Sequence, residues 1–277
     1  MKNIKLGDQI YEGVQTVRLD TAAGGTVDFA PYQETFAAGR VEGYNAGKEA
    51  GLEEGFDKGV KSEYDRFWDN YQENGKRYSY QRAFAGVGWT DQTFRPKYDI
   101  VADTHYTANS MFHNADITDL AAILQAYAVI LDISKAWYVT SMFQDSYRIT
   151  HIPRLDLTSA LQFDYSCSYC LALHTMDCIT ANEACTWVGT FRECNVLTNI
   201  TFEGVIGRDI NFQWSPLSVD SMKSVITHLK NYSGTADAGT KTVKFTDACW
   251  AALEADGSAP DGNTWRDYVE TTLGWLT

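Results

Sequence analysis

Basic residues are scarce in this sequence. Lys and Arg number 23 against 36 Asp and Glu, so the 277-residue chain carries a formal charge of −13, its isoelectric point is about 4.7, and no basic cluster is longer than Lys76-Arg77. A surface of that sign offers phosphate backbones and anionic lipids little to hold, which argues against nucleic acid as a partner. Long hydrophobic runs are missing too. The longest, LAAILQAYAVIL at 120–131, is too short to span a bilayer and contains Gln125. The opening MKNIKLGDQIYEGV lacks the apolar core of a secretion signal. The expectation is a protein made without export by the usual route and without membrane insertion.

Catalytic signatures are thin. There is no Gly-x-Ser-x-Gly elbow and no His-Glu-x-x-His pattern, and Gly86-x-Gly88 has neither a third glycine nor a strand–helix setting. Asp103, His105, His113 and Asp116 fall within one short stretch and could ligate a metal, but their irregular spacing fits an ordinary turn and cap better. CSYC at 167–170 resembles half of a zinc site whose second pair never arrives. No enzymatic activity, metal or cofactor is expected.

Glycine, by contrast, is placed with care. GRVEGYNAGKEAGLEEGFDKG has glycine at 39, 43, 47, 51, 55 and 59, among residues that otherwise suit a solvated helix. Each glycine inside a helix costs about 1 kcal/mol relative to alanine, so roughly 5 kcal/mol must be offset. A flexible linker has no reason to keep a strict period, and serine and proline are absent from most of this stretch. Large apolar residues, including Leu52, Phe56, Val60, Tyr64 and Trp68, form a second stripe beside the glycines. The spacing predicts one long helix over 33–74 whose Gly43, Gly47, Gly51 and Gly55 meet a neighbouring backbone while Leu52, Phe56 and Val60 seal the edge. A period of four exceeds 3.6, so any coil formed should wind right-handed. A single helix that tolerates glycines on its wet face is the alternative.

The cysteines belong to a repeat. Steps of three from Phe143 give Ser146, Ile149, Ile152 and Leu155; from Cys167 they give Cys170, Leu173, Met176 and Ile179; from Phe191 they give Cys194, Leu197 and Ile200. The three starts lie 24 residues apart. Such a period, with apolar residues in fixed phase, predicts coils that bury their faces only by stacking, with Cys170 and Cys194 in the small buried slot that Ser146 fills one coil earlier. A degenerate coil precedes them, with Phe112, Ile117, Leu120 and Ile123 in phase and the insert LQAYAVILDIS lengthening it to 31 residues. After Ile200, LSVDSMKSVITHLKNYSG predicts a helix opening at a Ser218/Asp220 cap, TKTVKFT a last strand, and the tail, with Trp250, Leu253, Trp265, Val269, Leu273 and Trp275, a lid over the open end.

These segments, MFQDSYRITHIPRLDLTS, CSYCLALHTMDCI, FRECNVLTNITFEGVIG and SMKSVITHLKNYSGT with KTVKFT, resemble BspA-like leucine-rich repeat proteins, in particular the short forms of bacteriophages and prophages of gut Firmicutes. The resemblance covers roughly 108–246. IYEGVQTVRLDTAAGGTVDFAP resembles short modules that attach accessory proteins to phage particles. It implies an α+β chain: an N-terminal attachment module at 1–31, the glycine-striped helix at 32–75, a connecting segment at 76–107, a right-handed leucine-rich repeat solenoid with parallel strands at 108–246, and a cap at 247–277. The implied role is a virion accessory protein of the head or tail surface, released by host lysis, self-associating through 33–74 and held to other virion proteins by the N-terminal module. Its repeats would bind a host surface protein or glycan. The alternative is a non-virion interaction protein, inside the cell or on a bacterial surface, using the same repeats. With the inward phases fixed, the outward ladder is His151, Arg154 and Asp156, then His174, Thr175 and Asp177, then Asn199, Thr201 and Glu203.

Overall fold

The structure is a computed structural model that describes residues 82–102 and 108–277 in full, together with the backbone of four strands near the N-terminus. It divides into two compact units, Met1–Arg66 and Phe67–Thr277. In the first, β1 (Ile4–Leu6) pairs antiparallel with β2 (Gln9–Tyr11), and β3 (Val17–Asp20) with β4 (Thr26–Phe29). These strands are the β content expected for 1–31. The glycine-striped segment, with Gly43, Gly47, Gly51, Gly55, Leu52, Phe56 and Val60, lies outside the described residues.

The second unit is mixed α/β, with short parallel strands in small sheets and no closed barrel among the described residues. Its organising feature is a pair of left-handed residues four apart that recurs along the chain: Arg82 and Gly86, Ser110 and Asn114, Ser141 and Asp145, Tyr165 and Tyr169, Gly189 and Glu193. Each pair turns one coil of chain, and the coils are hydrogen-bonded in register. Phe84 N–H donates to Met111 O, Phe112 to Met142, Phe143 to Ser166 and Cys167 to Thr190, at 2.7–3.0 Å. The register reaches back to Arg82, into the segment that the sequence suggested was only a connection.

Strands form where these coils run straight. In the central sheet β7 (His151–Ile152) and β8 (Leu155–Asp156) both pair parallel with β9 (Thr175–Ala181), which pairs parallel with β10 (Asn199–Gly204). To either side, β5 (Ile100–Val101) pairs with β6 (Leu131–Asp132), and β11 (Ile210–Asn211) with β12 (Val243–Lys244). Every inward residue expected from Phe143 to Ile200 is buried. The ring of Phe112 stacks between Phe84 and Phe143 at 5.1 and 5.5 Å, and Phe212 stacks between Phe191 and Phe245 at 4.4 and 5.9 Å. Cys167 replaces the ring between these two stacks.

The small buried slot is a hydrogen-bond ladder. Ser146 Oγ donates to Phe112 O at 2.7 Å, Cys170 Sγ to Phe143 O at 3.1 Å and Cys194 Sγ to Cys167 O at 3.0 Å. Burial pushes the Cys167 and Cys170 thiols well above the ordinary thiol range and Cys194 up to about 12, so all three remain protonated donors. All six cysteines are free.

The 31-residue coil differs from expectation. Its insert opens inside a helix, α1 (Leu120–Tyr127), capped by Asp119 and ended by left-handed Ala128. The residues are mostly good helix formers, so local propensity and the cap outweigh a step of three. Burial consequently follows the helical period, at Leu120 and Leu124, and Ile123 is only half-buried.

Beyond β10 the chain covers its own edge. Helix α2 (Val219–Thr227), capped by Ser218, presents Ser221 and Ser224, whose hydroxyls accept from Ile200 N and Phe202 N at 2.9 Å. Edge amides that would attract another strand are thereby occupied. The tail, with α3 (Asp247–Asp256) and α4 (Trp265–Asp267), buries Trp250, Leu253, Trp265, Val269, Leu273 and Trp275. No helix among the described residues is long and apolar enough to cross a membrane.

Candidate binding surface

Two faces of the coils carry exposed side chains in register. The first is the outer side of β7–β10. Parallel pairing sets His151, Thr175 and Asn199 in one row, and Asp156 beside Thr180 in another. All nine residues of the expected ladder are exposed or half-buried, so the inward phase was assigned correctly.

Their charges are largely spent on one another. His151 Nε2 lies 2.6 Å from Asp177 Oδ1, and its Nδ1 lies 3.3 Å from Asp119 Oδ1. Arg154 reaches across the sheet to Glu203, with Nη1–Oε1 at 3.1 Å and Nη2–Oε2 at 2.5 Å, and touches Thr180 Oγ1 at 3.0 Å on the way. The bidentate Arg154 contact holds the Glu203 carboxyl below its ordinary range. Thr201 Oγ1 donates to Asp177 O at 2.5 Å. His174 and Asn199 stay at the exposed margin, where the Asn199 side-chain amide donates to Thr198 Oγ1 at 3.0 Å. The strip is a polar lattice that ties three coils together.

Of the other four sequence candidates, two are placed by the structure. Asp103 and His105 lie outside the described residues, His113 faces Asp145 at 3.5 Å, and Asp116 pairs with Arg148 at 3.0 Å. Among the described residues no group of three or more His, Cys, Asp or Glu is arranged to hold a metal ion.

The second face is the turn side, and the sequence reading missed it. Tyr147 is 50% exposed, Tyr165 43%, Leu171 44% and Val188 56%. They belong to three adjacent coils, joined by the bonds from Tyr165 N to Val188 O and from Tyr169 N to Arg192 O at 2.8 Å. The Arg192 guanidinium stacks over the Tyr169 ring at 5.4 Å. Tyr147 Oη donates to Asp145 Oδ1 at 3.4 Å, and Asp164 Oδ1 accepts from Val188 N at 2.8 Å. Tyr165 and Tyr169 hold left-handed backbone, φ 56° and 61°, where the neighbouring coils use Ser141, Asp145, Gly189 and Glu193. A bulky side chain there costs on the order of 1 kcal/mol, and Tyr165 recovers little of it by burial. The 24-residue offset from Gly189 to Tyr165 was the available signal. It went unread because a tyrosine does not announce a left-handed turn.

No protein-family model matches this sequence, no curated protein matches it, and no solved structure matches it.

Proposed function

We propose that residues 82–277 form a short leucine-rich repeat solenoid of the BspA-like kind, carried on the surface of a bacteriophage head or tail as an accessory protein that touches the host. The observation that carries this reading is the register: left-handed pairs, a hydrogen-bonded slot and parallel strands all recur coil by coil, as stacked repeats require. An array of this kind presents side chains at fixed spacing, a format suited to recognition. The N-terminal unit would fix the chain to the particle, and the segment 33–74 would join copies.

Of the two faces, the turn side fits first contact best. Exposed tyrosines set among serine, glycine and acidic residues on a rigid scaffold give large, adaptable contact area at low entropic cost, for a host glycan or a host protein. The strip on β7–β10, its charges already paired, would contribute through His174, Asn199 and the rim. Mass spectrometry of purified particles tests the location: presence of the chain supports display, and its absence moves the protein to the intracellular or bacterial-surface alternative. Binding of the purified chain to host cells tests the face. Tyr165→Asn should weaken binding about tenfold or more while leaving the melting temperature unchanged or higher, since Asn tolerates the left-handed backbone. Unchanged binding by that variant would return the contact to the strip.

A further inference from the structure

We propose that Asp119, His151 and Asp177 form a pH-dependent staple across three coils, closed only while His151 carries a proton on both ring nitrogens. The geometry requires it. Both nitrogens face carboxylate oxygens, Nε2 toward Asp177 at 2.6 Å and Nδ1 toward Asp119 at 3.3 Å. A neutral imidazole has one N–H and one lone pair, so it can donate to one of these carboxylates and must point the lone pair at the other. Only the imidazolium satisfies both.

The three residues sit on three successive passes of the chain. Asp119 precedes α1, His151 opens β7 and Asp177 lies in β9; Asp119 bridges to His151, and His151 pairs with Thr175. The charged groups facing the imidazole are Asp119 from the first pass and Asp177 from the third. On its own pass Arg154 is engaged by Glu203, and the neighbouring side chains Thr150, Thr175 and Asn199 do not ionise. Partial burial works against the charged ring, but the hydrogen bond and charge of Asp177, then the charge of Asp119, outweigh it and raise the His151 pKa above its ordinary value.

When the proton leaves, one contact must open, and it is the one to Asp119. That contact is the longer, and Asp119 Oδ1 already accepts from Ala122 N at 2.8 Å as the cap of α1. Deprotonation therefore releases the Asp119 side chain from His151 and loosens the start of α1, while the His151–Asp177 pair persists and the backbone bond from Thr150 N to Thr118 O at 2.7 Å still joins the two passes. A folded pKa above the unfolded one makes the contribution complete below about pH 6.5 and lost as pH rises through the folded value. The staple tightens toward acid and loosens toward alkali.

Nitrogen-15 NMR of the histidine rings in the full chain tests this directly. The expected result is a His151 ring protonated at both nitrogens at about pH 6, with a pKa above that of free histidine that falls in Asp177→Asn and, separately, in Asp119→Asn. Asp177→Asn leaves the α1 cap untouched and so answers the question even if Asp119→Asn disturbs the helix. In the wild type, pH-corrected amide exchange at 120–124 should quicken as pH passes the His151 pKa, and in His151→Gln this step should vanish. A neutral single tautomer at about pH 6, or a pKa unmoved by Asp177→Asn, would overturn the proposal.

Discussion

Within the buried slot, a sulfur and an oxygen do the same work. Ser146, Cys170 and Cys194 each cap the carbonyl of the residue at the head of the previous coil, and the space admits little more than one heavy atom beyond Cβ. Cys170→Ser should therefore be close to neutral. Cys170→Ala should cost about 1–2 kcal/mol, from one lost bond and a small cavity. The penalty stays modest because Phe143 O keeps the backbone N–H of Ser146 at 3.0 Å. Urea unfolding of the two variants measures the difference, and equal midpoints would show that neither the bond nor the filled space adds stability. Trp187 is the counterexample at this scale: it packs between Phe163 and Phe202, at 5.7 and 5.8 Å, yet its indole N–H is buried with no partner.

At the scale of the element, close approach between strand ends decides which glycines matter. Gly204 ends β10 with φ +76°, and a Cβ there would lie 2.2 Å from Ala181 O, a backbone atom of the neighbouring strand. Gly189, at φ +62°, would meet only the ring of Tyr165, at 2.6 Å. A ring can swing aside and a paired backbone cannot. Gly204→Ala should cost about 3 kcal/mol, from left-handed strain and overpacking together, and Gly189→Ala about 1 kcal/mol. Thermal melts that rank them in the reverse order would show that the two coils pack differently from this description. The bulge between β9 and β10 belongs to the same region: Met176 and Ile179 oppose Ile200 and Phe202, so one coil uses a residue fewer to bring its next apolar side chain inward.

For the whole molecule, the tail is part of the stack as well as its lid. Tyr232 N donates to Leu273 O and Val243 N to Leu276 O, while Trp275 Nε1 reaches Lys230 O at 2.7 Å. Deleting 247–277 would strip Lys230, Tyr232 and β12 of these partners and uncover Phe245, which packs on Trp250 at 5.1 Å. The truncated chain is expected to bind a hydrophobic dye and aggregate, because a terminal coil without a cap leaves its stacking face in water. A soluble, cooperatively folded truncation would show that the coils close themselves. Assembly is tested on the other side of the chain. Gly47→Ala with Gly51→Ala should stabilise an isolated helix by about 2 kcal/mol, yet weaken copies packed through the glycine stripe. Light scattering and thermal melting separate these: a lower mass supports packing, whereas an unchanged mass with a higher melting temperature marks a tolerated wet face.

Much of the repeat unit could be read without coordinates. The apolar phase from Phe143 to Ile200, the slot shared by serine and cysteine, the capped helix after Ser218 and the buried tryptophans of the tail follow from spacing, because side-chain volume and burial repeat whenever coils stack. The sequence did not disclose the first coil at Phe84, the helical character of 120–127 or the tyrosine face. In the first coil the spacing to Phe112 is 28 residues, and in the next it is 31, so neither shares the period of 24 that marked the others. The tyrosines gave no sign of their left-handed backbone, since only the stacking of neighbours imposes it. Pairings such as Asp119 with His151 and Arg154 with Glu203 join residues 32 and 49 positions apart. Local spacing decides which side chains turn outward, but which outward charges meet is decided by how the coils align, a property of the assembled fold alone.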